Sequence, residues 1–232
     1  LAALAVFFAA PAMAVDPADM MPELSEGRVI AWPSLDGGAA GPMTVWVWLP
    51  PGYDAAKGKH FPVLYMHDGQ NLFDRKLTNY NQEWQMDEAI PRMARQGDLR
   101  SWIVVGVQSP RSRYRALFPQ KIVPLLPADF QNRVLTLDTG ETKAELSGDA
   151  YLKFMVETVK PRVDREFRTL KGPDDTAVMG SSMGGLMAFY AMAEYPEIFG
   201  QAAAVSMHVG LASTSEKGVD HDAAARVAAD AF

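Results

Sequence analysis

The chain has 232 residues, 48% hydrophobic and 22% charged, which is enough for one sizeable core and ordinary for a globular protein. Its formal net charge of -6 argues against nucleic acid or an anionic membrane surface as the main partner, because both reward a basic face. Cysteine is absent, which excludes disulfides, thiolate metal sites and a cysteine nucleophile.

Residues 1–10 form a nearly pure apolar run, followed by Pro11-Ala12-Met13-Ala14. The run is too short to span a bilayer. Ala12-x-Ala14 fits a signal-peptidase site, so a partial signal peptide over residues 1–14, cleaved after Ala14, is expected. The alternative is a buried N-terminal helix. The mature protein is expected in the periplasm or medium of a bacterium, with no membrane role after cleavage. Residues 15–232 are then expected to form one domain.

Residues 15–27 are acidic and read as an extended lead-in segment. Residues 28–32 and 43–49 have strand character, separated by a Gly-rich turn, which predicts an antiparallel lead-in hairpin. Residues 61–66 form an apolar run without alternation, as suits a central parallel strand. The stretch 83–96 is helical in pattern, with Trp84, Met86, Ile90 and Met93 as apolar anchors and Pro91 as an interruption. A second buried strand is expected over 102–107, then a basic, aromatic-containing loop over 109–119 and an irregular polar stretch over 128–145. Residues 147–168 read as a long helix that Pro161 kinks or divides. A strand over 176–179, a helix over 182–195, a strand over 201–206 and a helix from 220 onward complete the chain. Strands alternating with helices predict a mostly parallel, doubly wound α/β sheet.

Between the strand at 176–179 and the next helix lies Gly180-Ser181-Ser182-Met183-Gly184, which fits G-x-S-x-G. In the nucleophile elbow that this pattern describes, the serine sits on a sharp strand-to-helix turn and the flanking glycines leave room where strand and helix meet. The helix then begins at the serine, so its N–H groups face any negative charge that develops there. The pattern is short, and a Gly/Ser-rich turn gives the same letters.

Four stretches in order supply the context. They are His67-Asp-Gly-Gln-Asn-Leu-Phe-Asp74 with Glu83-Trp84 behind it, Arg113-Tyr114 through Phe118-Pro119, Lys160-Pro-Arg-Val-Asp-Arg-Glu-Phe-Arg-Thr169, and Gly180–Gly185 running on to Tyr195-Pro196 and Phe199-Gly200. With these the chain, from about residue 28 to 210, resembles the esterase family of α/β-hydrolases that includes feruloyl and acetyl-xylan esterases, enterochelin-type siderophore esterases, S-formylglutathione hydrolase and mycolyltransferases. The resemblance implies an α/β-hydrolase fold and Ser182 as nucleophile. It also implies an oxyanion hole made by the backbone N–H of Met183 and of Gln70. Two preoriented amides suit a tetrahedral intermediate, and losing one such donor raises the barrier by about 3–4 kcal/mol. His67 and Asp68 are read as shaping the loop beside the oxyanion hole. Arg113 and Tyr114, with Arg111 and Arg115, lie on a loop that borders the pocket and are candidates for holding an anionic or aromatic acyl group; a solvated basic face is the other reading.

A serine nucleophile needs a histidine and a carboxylate to orient it, in the chain order Ser, acid, His for this fold. Neither family motif follows Ser182. His208 stands at the correct sheet edge and is a candidate pocket residue; His221, Asp220 and Asp222 are the other local groups. Acid and His are therefore expected beyond residue 232, with C-terminal strands missing and the 232-residue fragment inactive alone. The function expected is an exported serine carboxylic-ester hydrolase acting on an acylated carbohydrate, phenolic or siderophore ester. Acyl transfer and a non-catalytic binding module are the alternatives. Neither a metal nor an organic cofactor is indicated.

Overall fold

The computed structural model describes residues 21–78, 81–126, 131, 145–208 and 226. Strands β1 (Arg28–Asp36) and β2 (Pro42–Leu49) form the antiparallel lead-in hairpin. Strand β1 runs past residue 32 through an irregularity at Ser34, whose φ is 53°, with a register shift between Trp32 and Leu35. The extra residue bends the strand without ending its pairing.

Strands β3 (Val63–His67), β4 (Ile103–Val107), β5 (Thr176–Ser181) and β6 (Gln201–Val205) complete a six-stranded sheet in the order β1-β2-β4-β3-β5-β6. Strand β2 pairs antiparallel with β4, and the β4-β3-β5-β6 run is parallel. The expected mostly parallel α/β sheet with its N-terminal hairpin is therefore present. Strand β3 lies at its centre, and the chain passes first to β4 on one side and then to β5 on the other. Such a reversal opens a crevice at the carboxyl ends of the strands.

Both sheet faces are buried along β2 to β5, while edge strand β6 is largely exposed. On β2, Val45, Val47 and Leu49 face one core, while Trp46 and Trp48 face the other. The alternation seen in this strand is one of size, not of polarity, because helices cover both sides. The first core receives α3 (Gly148–Lys153), its continuation, and α5 (Met183–Glu194), through Tyr151, Val159 and Leu186. The second receives α1 (Met86–Gln96) through Met86 and Ile90.

Three helical expectations are corrected. Helix α1 starts at Met86, not 83, because Gln85 is left-handed with φ 52°. Its Met93 is not an anchor: it is 37% exposed, since only the first half of the helix packs on the sheet. The loop over 109–119 contains a short helix, α2 (Arg113–Ala116). The interruption expected at Pro161 takes the form of a wider turn just before it. Helix α3 passes through a π turn (Phe154–Val159) straight into α4 (Lys160–Glu166). A proline has no N–H and its ring crowds the carbonyl four residues back, so a wider turn just before it absorbs the misfit.

The lead-in segment is pinned across the second core. Glu23 N donates to Asp74 at 3.0 Å, Ser25 N to Asp87 at 2.6 Å, and Trp48 Nε1 to the Glu26 carbonyl at 2.9 Å.

Candidate active site

The carboxyl ends of β3, β4 and β5 meet at a cleft of about 850 Å³. Ser182 lines it, at the junction of β5 and α5, with φ 56° and ψ -119°. A non-glycine residue in this region carries roughly 1–3 kcal/mol of strain that the surroundings must impose. The imposing contacts are visible. Ser182 N donates to the Val205 carbonyl at 3.0 Å, and the Ser182 carbonyl accepts from His208 N at 3.2 Å, so β6 holds the turn from outside.

Gly180 and Gly184 supply space, not backbone twist, since neither has positive φ. A Cβ on Gly180 would run into the Gly184 backbone, and one on Gly184 would lie 3.1 Å from Asp68 Oδ2 and 3.3 Å from His67 Cβ. The G-x-S-x-G spacing is thus what lets the helix start against both its own strand and the loop after β3.

That loop carries the next residues. Asp68 is left-handed (φ 57°, ψ 47°) and caps a 3₁₀ turn, Gly69–Asn71. Gln70 lies in the first turn of that segment, and Met183 in the first turn of α5. First-turn N–H groups have no acceptor within their own helix, which leaves them available to an anion at the cleft. Gln70 lines the cleft, whereas the Met183 side chain is buried in the core.

His67 is buried, and its Nδ1 lies 2.8 Å from the Tyr151 hydroxyl. Burial pushes its imidazole down to about 4, with the Asp68 charge opposing and that of Arg113 reinforcing, so the ring is neutral near pH 7. Its Nε2 is buried with no hydrogen-bond partner among the described residues. The neutral imidazole thus sits packed beneath the loop with Tyr151 as its partner.

Burial works against the Asp68 carboxylate. The Arg113 guanidinium and the Ser109 hydroxyl outweigh it and hold the carboxyl below the usual aspartate range. Arg113 reaches it bidentately, Nε to Oδ1 at 2.6 Å and Nη2 to Oδ2 at 2.7 Å. Arg113 and Arg111 line the cleft, Arg113 with its guanidinium on Asp68. Tyr114 packs on the first core, with its ring 5.8 Å from that of Phe118. Arg115 is half-buried behind them. His208 stands beside the elbow, half-buried at the end of β6. His221, Asp220 and Asp222 lie outside the described residues, as do residues 1–14. Ser109 and Tyr151 were missed in the sequence. Ser109 could have been found, since it stands two residues past the carboxyl end of β4, on the edge where Asp68 follows β3; Tyr151 gave no sign beyond its helical spacing.

Among the described residues no group of three or more His, Asp or Glu could hold a metal ion, and no helix is long and apolar enough to cross a membrane.

A parallel sheet with an antiparallel lead-in, helices on both faces and a strained serine between strand and helix define an α/β-hydrolase fold. The model of the family described as "Putative esterase" matches residues 39–226, and the chain belongs to that family. It is 25% identical over 173 residues to the uncharacterized protein YbbA of Bacillus subtilis (strain 168), a match that spans 75% of this chain and 60% of that relative's length. Among solved structures it is similar to the siderophore hydrolase EstA from Aspergillus nidulans (TM-score 0.58, 22% identity, 97% of this chain and 68% of that one). A ferulic acid esterase gives a TM-score of 0.56 at 17% identity, over 88% of this chain and 68% of that chain. The enterobactin esterase FES from Shigella flexneri gives 0.53 at 17% identity, over 90% and 44%. At these identities the structures bear on the fold alone.

Proposed function

We propose that the protein is an exported serine carboxylic-ester hydrolase in which Ser182 is the nucleophile. The observation that carries this reading is the strained Ser182 backbone at the cleft, flanked by first-turn amides on two separate elements. Such strain persists only where other contacts enforce it, and a serine held this way presents its hydroxyl at a sheet edge.

The Ser182 hydroxyl attacks the ester carbonyl carbon and gives its proton to a general base. The carbonyl oxygen becomes an oxyanion held by the Gln70 and Met183 N–H groups. The C–O bond to the alcohol then breaks, the alcohol leaves with the base's proton, and water cleaves the acyl-Ser182 ester by the same steps in reverse roles. His67 is unsuited to be the base, being buried, neutral and bonded to Tyr151. His208 is taken as a pocket residue beside the elbow, where its backbone N–H bonds the Ser182 carbonyl. Polar side chains in the cleft, among them Gln82, Gln108 and Ser109, admit water, which favours hydrolysis over acyl transfer.

Family membership and the ferulic acid and siderophore esterases of like fold support an acylated carbohydrate, a phenolic ester or a siderophore ester as substrate. Residues 15–232 are taken as belonging to one esterase domain and residues 1–14 as part of a leader cleaved after Ala14; N-terminal sequencing of the mature protein should then begin at Val15. The direct test is fluorophosphonate labelling of the full-length protein. Label on Ser182, lost in Ser182→Ala, is expected; an unlabelled, folded protein refutes the reading.

A further inference from the structure

The side chains beneath the cleft form one hydrogen-bonded chain that crosses four separate segments. Gln70 Nε2 donates to Ser109 Oγ at 2.9 Å, and Ser109 N donates back to Gln70 Oε1 at 3.1 Å. The Ser109 hydroxyl donates to Asp68 Oδ1. Arg113 closes on both Asp68 oxygens, and its Nη2 also lies 3.4 Å from the carbonyl of Ser181, the residue before the expected nucleophile. The chain therefore runs from Gln70, after β3, through Ser109, after β4, to Asp68 and α2, and ends on the last residue of β5.

Two features make this more than a surface ion pair. The Asp68 side chain is only 8% exposed, so its charge has been taken out of water and must be held by defined partners. It also stands against the first turn of α5: the place a Gly184 Cβ would occupy is 3.1 Å from Oδ2. A left-handed aspartate with a buried carboxylate is a costly way to close a loop. It is explained if the distance between that loop and the elbow matters.

We infer that Asp68 and Arg113 are positioning residues that fix the Gln70 N–H relative to Ser182, and that Arg113 is not a clamp for an anionic substrate. This rests on the reading of Ser182 as nucleophile and Gln70 as oxyanion donor. The Nε–Nη2 edge of the guanidinium is turned to Asp68, and a bidentate pair sets angle as well as distance.

The test uses the full-length protein, with turnover of neutral p-nitrophenyl acetate and of anionic p-nitrophenyl hemisuccinate. In Arg113→Met and Asp68→Asn the expected result is a fall in kcat of about tenfold to a hundredfold, equal for both esters, as small misplacements of reacting groups produce. KM should stay within about threefold of wild type. Arg113→Lys should recover only part of kcat, because an ammonium cannot bridge both oxygens. A KM increase confined to the anionic ester overturns the inference and makes Arg113 a substrate clamp; an unchanged kcat overturns it as well. Should Arg113→Met fail to fold, the isosteric Asp68→Asn decides alone. If wild type neither labels with fluorophosphonate nor turns over, the Ser182 reading falls and takes this inference with it; if wild type labels and the variants label at the same rate, only this inference falls.

Discussion

Replacing His67 by Asn should remove a large part of the protein's sensitivity to acid. In the folded protein burial brings His67 down to about 4 from an ordinary 6.5. Between those values the unfolded chain binds a proton that the folded chain refuses, so stability rises with pH across this window. The contribution is fully present above about pH 6.5 and is lost as pH falls towards about 4. At about 1.4 kcal/mol per pH unit, the gap corresponds to about 3 kcal/mol. The geometry agrees with the direction. A protonated ring must donate from both nitrogens, but among the described residues Nε2 is buried without a partner, while Nδ1 has one in Tyr151. Arg113 adds a repelling charge, although Asp68 opposes it. Asn places an amide near the former Nδ1 and cannot titrate, so it keeps the Tyr151 bond and drops the pH term. Urea unfolding followed by tryptophan fluorescence, at about pH 7, 5.5 and 4, measures the difference. Wild type should lose about 3 kcal/mol more than the variant over that range, or roughly 6–12 °C in Tm for a chain of this size. Parallel pH profiles for the two proteins would refute the reasoning and mean that His67 takes up its proton in the folded state.

Further outcomes follow from the elbow. Ser182→Gly should abolish labelling yet raise stability by on the order of 1 kcal/mol, because glycine accepts φ 56° without strain; a loss of stability in urea unfolding would show that the backbone there is relaxed. Gly180→Ala should cost on the order of 3 kcal/mol or prevent folding, read as soluble yield and circular dichroism, since its Cβ would collide with the Gly184 backbone. His208→Ala keeps the backbone N–H that the Ser182 carbonyl accepts, so the expected effect is a KM increase of roughly threefold to thirtyfold. A kcat loss of about 10⁴-fold would instead make its imidazole the general base.

The sequence carried the strand-turn-helix at Ser182 and the buried strands plainly, because apolar runs and G-x-S-x-G are local patterns. The order of the strands was not local, and with it went the wiring of the site. Arg113 and Asp68 are 45 residues apart, and Tyr151 and His67 are 84 apart. They meet only because β3 lies between β4 and β5. A basic loop in the sequence therefore read either as a border of the pocket or as a solvated face, with no sign that Arg113 reaches the carboxylate of Asp68. The same limit applies to Met93, whose spacing fits the apolar face of α1 but whose half of the helix extends beyond the packed region. The π turn was not legible in the periodicity, since Tyr151, Met155, Val159 and Val163 recur every four residues, a spacing that one face of an uninterrupted helix also shows.

That π turn sets a rotational phase. Helix α3, which carries Tyr151, and α4, which carries Val163, are read as one rod, yet Phe154–Val159 offsets one end against the other. In a regular α-helix each residue advances about 100°. Deleting one residue within 154–159 would restore regular winding while turning the Tyr151 end by about that angle relative to α4. The helix would survive and the Tyr151–His67 bond would not. The length of a helix packed on the same sheet face as α5 is in this way coupled to the loop beside Ser182, and single-residue deletions there are not silent even where helicity is unchanged.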